Sequence, residues 1–223
     1  MKQIIFFSMI ILFICFSISS CDILKEISQE EANVLFEEAR DEIKSKEQFL
    51  NSYYFHIYTL SEEIEARYMP AESIYQYLQI TPQYERAVIE SEFFVHDKKN
   101  GNKTQEHYSF NDFDTNIISS EAYQLLEKII DVKYVSEVKG QHFIPATDMF
   151  ITVYVDNEKL HEDKIFDKNI NITIVEFTFS VENELSDIYF SYYDDQTGKT
   201  NSFVFGETVL NIVFPQSVNT DYY

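Results

Sequence analysis

Apolar positions recur along the chain in three different rhythms. Ile4 to Ile18 is almost continuously apolar, interrupted only by Ser8 and Ser17. From Ala32 the rhythm turns helical. Ala32, Leu35, Phe36, Ala39 and Ile43 share one face, while Glu37, Glu38, Arg40, Asp41 and Lys44 take the other. Ser28-Gln29-Glu30-Glu31 in front has the form of a capping box, with Ile27 and Ala32 placed as a hydrophobic staple. The spacing predicts a helix from Ser28 to about Leu50, extending towards Tyr58.

Thr59-Leu60-Ser61-Glu62 offers a second capping box and predicts a short helix that stops before Pro70, because the residue preceding proline is pushed out of helical geometry. Pro70 is placed to open another helix carrying Ile74 and Leu78 to Ile80, ended by Thr81-Pro82. Val88 to Asp97 and Gln105 to Phe113 are then expected as a hairpin. Asn100-Gly101 would be its two-residue loop, setting Phe93 opposite Tyr108 and Phe94 opposite His107. Ser119 and Ser120 introduce a helix with Ala122, Leu125, Leu126, Ile129 and Ile130 in one stripe. The third rhythm is alternation. Met149 to Val155, Ile170 to Val181, Leu185 to Tyr193 and Ser202 to Phe214 are β-branched and aromatic, with turns near Asn183 and at Asp194 to Lys199. These elements predict an α+β fold, N-terminal helices packed on a mainly antiparallel β-sheet. One short repeat, Ile74-Tyr75-Gln76-Tyr77-Leu78 against Ala122-Tyr123-Gln124-Leu125-Leu126, is too brief to carry an argument.

The leading apolar run changes the picture of where the chain resides. Lys2, the fifteen residues Ile4 to Ile18, and the small Ser19 and Ser20 follow the plan of a secretory signal peptide. The run is short for a bilayer core, which takes about 20 residues. Ile18-Ser19-Ser20-Cys21 resembles the lipobox of bacterial lipoprotein precursors. That resemblance covers the leader alone. It implies residues 1–20 as signal peptide, cleavage between Ser20 and Cys21, a diacylglyceryl thioether on Cys21 and an acylated amino terminus. Each buried methylene then contributes about 0.8 kcal/mol, and two or three chains anchor firmly where one does not. Residues 21–27 form a short lipidated tether, and residues 28–223 are expected as one extracytoplasmic domain. Asp22 resembles the signal that holds enteric lipoproteins in the inner membrane; the leaflet stays open between inner and outer membrane.

Charge narrows the partners. Residues 1–20 contain one Lys and no acid, so of 17 basic and 38 acidic residues 16 and 38 remain, a formal charge of −22. Such a surface repels nucleic acid and anionic headgroups, both of which require Lys and Arg. Of the two cysteines, Cys15 lies in the leader and Cys21 is taken by lipid, so no disulfide is expected. With 20 Phe, 16 Tyr and no Trp, phenyl rings must supply much of the core. Four Gly and four Pro in the whole chain argue against long flexible linkers.

Candidate chemistry is sparse. His56, His96, His107, His142 and His161 are scattered, and only His96 and His107, with Glu92, would meet in the expected hairpin; their spacing matches no metal site, so no metal and no cofactor are expected. Gly198-Lys199-Thr200 lacks the first glycine of a phosphate loop, Tyr193 standing there. Asp112, Asp114 and Asn116 begin like a calcium loop, but Ile117 replaces its glycine and Tyr123 its glutamate. There is no Gly-x-Ser-x-Gly elbow and no free cysteine to act as nucleophile. Tyr53, Tyr54, Tyr58, Tyr68, Tyr75 and Tyr77 are dense enough to suggest either a contact surface or packing at a helix–sheet boundary, and packing is the simpler reading.

The expectation is a membrane-anchored bacterial lipoprotein of the cell envelope whose domain binds a protein, peptide or small molecule without catalysis. The alternative is an extracytoplasmic hydrolase or lipid-handling protein whose residues converge only in three dimensions.

Overall fold

A computed structural model describes residues 23–45, 47–89, 92–106, 110–144, 148–180, 182–212 and 214. Cys21, the leader, His107 and Tyr108 lie outside the described residues. In chain order the elements are β1 (Ile23–Glu26), α1 (Gln29–Ser45), β2 (Tyr53–Tyr58), β3 (Glu63–Met69), β4 (Ile74–Ile80), β5 (Tyr84–Ile89), β6 (Glu92–Asp97) and β7 (Asn102–Glu106). Then follow α2 (Thr115–Ile129), β8 (Val135–Ile144), β9 (Met149–Val155), the short α3 (Asn157–Glu162), β10 (Ile170–Phe179), β11 (Leu185–Asp194) and β12 (Lys199–Gly206).

The twelve strands of the described residues belong to one antiparallel sheet in the order β1-β8-β9-β10-β11-β12-β2-β3-β4-β5-β6-β7. The chain lays this down as two meanders, β2 to β7 after α1 and β8 to β12 after α2. They join where β12 pairs with β2, Phe203 opposite Phe55. This corrects the α+β expectation: the molecule is predominantly β, and only α1 remains of the helices expected at the N-terminal end. Between Thr59 and Ile80 the chain forms strands β3 and β4, and the helix expected to open at Pro70 is reduced to the 3-10 turn Pro70–Glu72 between them. The short sequence repeat falls on β4 and on α2, so its two copies are not structural equivalents.

The reason lies in the turns. Thr59 Oγ1 accepts from the backbone N–H of Ser61 at 3.2 Å and of Glu62 at 2.8 Å, while Thr59 N–H donates to Glu62 O at 2.8 Å. Those bonds close a hairpin with Leu60 and Ser61 at its tip. Thr81 repeats the arrangement with Gln83 and Tyr84. A threonine hydroxyl capturing N–H groups two and three residues ahead serves a strand turn as well as a helix start. Between these turns the residues are aromatic and β-branched, which favours the pleated state.

The β6–β7 loop is also corrected. Asp97 pairs with Asn102, leaving Lys98 to Gly101 as a four-residue loop, and Phe93 faces Glu106 in register. Asp97 Oδ1 accepts from Lys99 N and Asn100 N, and Gly101 takes φ 68° with its N–H on Asp97 O at 2.8 Å. Asp194 and Gly198 build the same loop between β11 and β12.

Both long helices cover one face. On α1, Glu31 N–H reaches Ser28 Oγ at 3.2 Å as the capping box requires, and Phe36 stacks on Phe177 of β10 with centroids 6.4 Å apart. Gly140 on β8 makes room beneath Ile27 and Ala32. On α2, Tyr123 sets its ring edge-on to Phe205 at 5.3 Å and donates its hydroxyl to Ile43 O at 3.0 Å, which ties the two helices together. Phe55, Phe177, Phe190, Phe203 and Phe205 are wholly buried under this cover, each contributing roughly 1.5–3 kcal/mol of burial.

Candidate functional site

Among the described residues no long helix covers the opposite face of the sheet, and side-chain alternation decides what that face displays. On β2, Tyr53, Phe55 and Ile57 point into the core, so Tyr54, His56 and Tyr58 point the other way. Register places Arg67 opposite Tyr54, Glu65 opposite His56 and Glu63 opposite Tyr58. On the other flank Ser202 of β12 sits opposite His56, and Ser191 of β11 opposite Ser202. A polar row, Glu65–His56–Ser202–Ser191, thus crosses four strands.

Three of these groups converge. His56 Nε2 lies 2.8 Å from Glu63 Oε1, and one ligand-type atom each of His56, Glu63 and Glu65 fall within 4.8 Å of one another. Glu65 is fully buried, and the side chains of His56 and Glu63 are each 20% exposed. Burying a carboxylate is costly unless charge or hydrogen bonds compensate it. Tyr54 supplies one hydrogen bond to Glu65. Burial first, and then the negative charges of Glu65 and Glu63, push the Tyr54 hydroxyl far above its ordinary range, so it remains a donor. Arg67 alongside is committed elsewhere: its guanidinium donates to Ile212 O at 2.9 Å and Leu210 O at 2.5 Å.

Those bonds hold the chain's return over this face. After β12 the 3-10 turn Glu207–Asn211 leaves the sheet, and Val209 packs on Tyr54 and Met69 with Ile212 and Phe214 alongside. Among the described residues the turn covers one end of the face and leaves the other end open. Tyr58, Tyr154 and Tyr193 lie on the open part, 39, 43 and 38% exposed.

The tyrosines singled out in the sequence separate accordingly. Tyr53 stacks on Tyr68 at 5.0 Å and Tyr68 on Phe110 at 5.7 Å, with Tyr75 edge-on to both Tyr68 and Phe110. Tyr77 lies on Phe113 at 3.9 Å. These rings belong to the helix-covered side. Tyr54 is buried on the other, and Tyr58 is the member of the group exposed on the helix-free face.

The remaining candidates stay apart. His96 is near Glu85 at 3.6 Å, with Lys98 on the same carboxylate at 3.1 Å, so that pair is an ordinary ion-pair cluster. His161 Nε2 contacts Ile170 O at 2.6 Å. Asn116 Oδ1 accepts the Tyr53 hydroxyl at 2.7 Å, tying the start of α2 to β2. Ser202 Oγ bonds Ser191 Oγ at 3.2 Å and not the His56 imidazole, so the serine–histidine contact that nucleophilic catalysis needs is not made. An open cleft of about 500 Å³ lies beside α1, lined by Gln29, Asn33, Phe36, Val135 and Val138 among others, and Gln29 Nε2 donates to Val138 O at 2.8 Å there.

The trio is not legible in the sequence because Thr59-Leu60-Ser61-Glu62 predicts a helix start where the structure has a hairpin turn. The signal was present: with Thr59 and Glu62 as a turn, antiparallel pairing places His56 opposite Glu65 without further information. No family model matches the chain, and comparison with curated proteins finds no match. Among the described residues no helix is long and apolar enough to cross a membrane.

Proposed function

We propose that this chain is a lipid-anchored, extracytoplasmic binding protein, tethered through Cys21, that presents the helix-free face of its sheet to a basic polypeptide. The observation that carries the binding reading is the open face itself, with three exposed tyrosines on a rigid hydrogen-bonded frame. Tyrosine offers wide contact area and a polar tip at low entropy cost. Its ring also attracts Lys and Arg by cation–π contact, as Lys139 already shows 4.9 Å above Tyr154. The acidic balance of the chain favours a cationic partner and steers its approach. The leader Ile18-Ser19-Ser20-Cys21 supports the anchor, and with one residue in sequence between Cys21 and β1 such an anchor would keep the domain near the bilayer.

Photo-crosslinking groups at Tyr58 and Tyr193, with a control at the exposed Glu38 on α1, test the reading in native membranes. Adducts from the two sheet positions that fade as salt rises, with none from position 38, are expected. Equal adducts from all three positions, or none from the sheet face, contradict it.

A further inference from the structure

We propose that His56, Glu63 and Glu65 form a binding site for a divalent transition-metal cation of the zinc class. The three side chains come from two adjacent, mutually hydrogen-bonded strands, so their spacing is fixed by backbone pairing and not by a loop. His56 and Glu65 are direct cross-strand partners, and Glu63 reaches in from the diagonal, the distance that long side chains span on a pleated surface. Their ligand atoms already lie within 4.8 Å of one another. Zinc bonds of about 2.0–2.2 Å in tetrahedral geometry need ligand atoms roughly 3.3–3.6 Å apart. His56 Nε2 and Glu63 Oε1, at 2.8 Å, would part by about half an ångström, and Glu65 would close in.

Two further features favour a cation over a passive cluster. Glu65 is wholly removed from solvent beside a second carboxylate, an arrangement that a divalent charge between them stabilises directly. Tyr54 shares a hydrogen bond with Glu65, the kind of outer support that orients metal-binding carboxylates. Mixed imidazole and carboxylate donors select the zinc class over calcium or magnesium, which prefer oxygen alone. Three protein ligands leave a fourth position for water or a partner's side chain. This inference stands independently of the anchor and of the basic partner.

Titration of chelator-treated full-length protein in detergent with Co(II), read by the visible absorption of the bound ion and followed by Zn(II) displacement, tests the site. One equivalent per chain is expected, weakened at least about 10-fold by His56→Gln and by Glu63→Gln. Glu85→Gln, on the same sheet at a separate ion pair, should leave it unchanged. Circular dichroism verifies that each variant folds, and Glu63→Gln, at a part-exposed position at the start of β3, carries the test alone if His56→Gln does not fold. No uptake by the unaltered protein, or uptake undisturbed by a folded Glu63→Gln variant, overturns the proposal and leaves a hydrogen-bonded trio only.

Discussion

Gly206 sits opposite Asp187 at the end of β12, and the Asp187 carboxylate catches the chain as it turns away, accepting Thr208 N–H at 2.6 Å. Gly206 N–H donates to Ser52 O at 3.0 Å, and the Ser52 hydroxyl returns a bond to Gly206 O at 2.7 Å. At φ 123° this residue lies in backbone space that side chains rarely enter. The corner sends the last described segment from the sheet onto the helix-free face, where Val209 closes over Tyr54 and Arg67 clamps two carbonyls.

Gly206→Ala should therefore be one of the most damaging small substitutions in the chain. Its Cβ would collide with Ser186 O and stand 2.7 Å from Asp187 Oδ1, both on the neighbouring strand. A loss of more than about 3 kcal/mol is expected from strain and overpacking together. Urea unfolding measures it; Gly101→Ala, where nothing lies within 4 Å of the added carbon, should cost far less.

Glu176 on the helix-free face is raised above the ordinary carboxylate range by burial, only partly offset by the hydrogen bond from Thr152. A raised acid favours its neutral form in the folded state, so its ionised form costs stability at neutral pH. That cost vanishes below about pH 4, where the unfolded chain is protonated as well. Glu176→Gln should raise the melting temperature at pH 7 and give no gain at pH 3.5. A gain independent of pH would show that charge is not the cause.

At the alkaline end Tyr53 is the informative group. Burial pushes its hydroxyl up to about 12, against 10 for the free side chain. The neutral phenol is favoured in the folded state, so its contribution is complete below pH 10 and is lost as the pH rises from 10 to 12. Tyr53→Phe should cost about 1 kcal/mol at pH 7, from the lost bond to Asn116. The variant should then lose less stability than the parent between pH 10 and 12. Parallel alkaline curves would contradict the assignment.

The helical stripe behind Ser28 was legible because local capping and periodicity agree with the tertiary placement. The alternation of Ile170 to Phe179 and Leu185 to Asp194 was legible for the same reason, since one face of each strand is buried. Strand β8 was not, because its core-facing positions Val138 and Gly140 leave almost no apolar signature. The stretch from Thr59 to Ile80 misled because threonine turns and helix caps use the same bonds, and only sheet pairing chooses between them. Helix α2 begins at Thr115, four residues before Ser119, the first of the two serines expected to open it. The buried Ser119 instead bonds back to Asn116 O at 3.1 Å inside the helix. The His56–Glu63–Glu65 trio depends wholly on that misread hairpin, so it became visible only with the register.

Mass spectrometry of the protein purified from its native membrane tests the proposed tether through Cys21 most directly. The account predicts an amino terminus at Cys21 carrying a thioether-linked diacylglyceryl group, with residues 1–20 removed. An intact Met1, or a free sulfur at position 21, would contradict it.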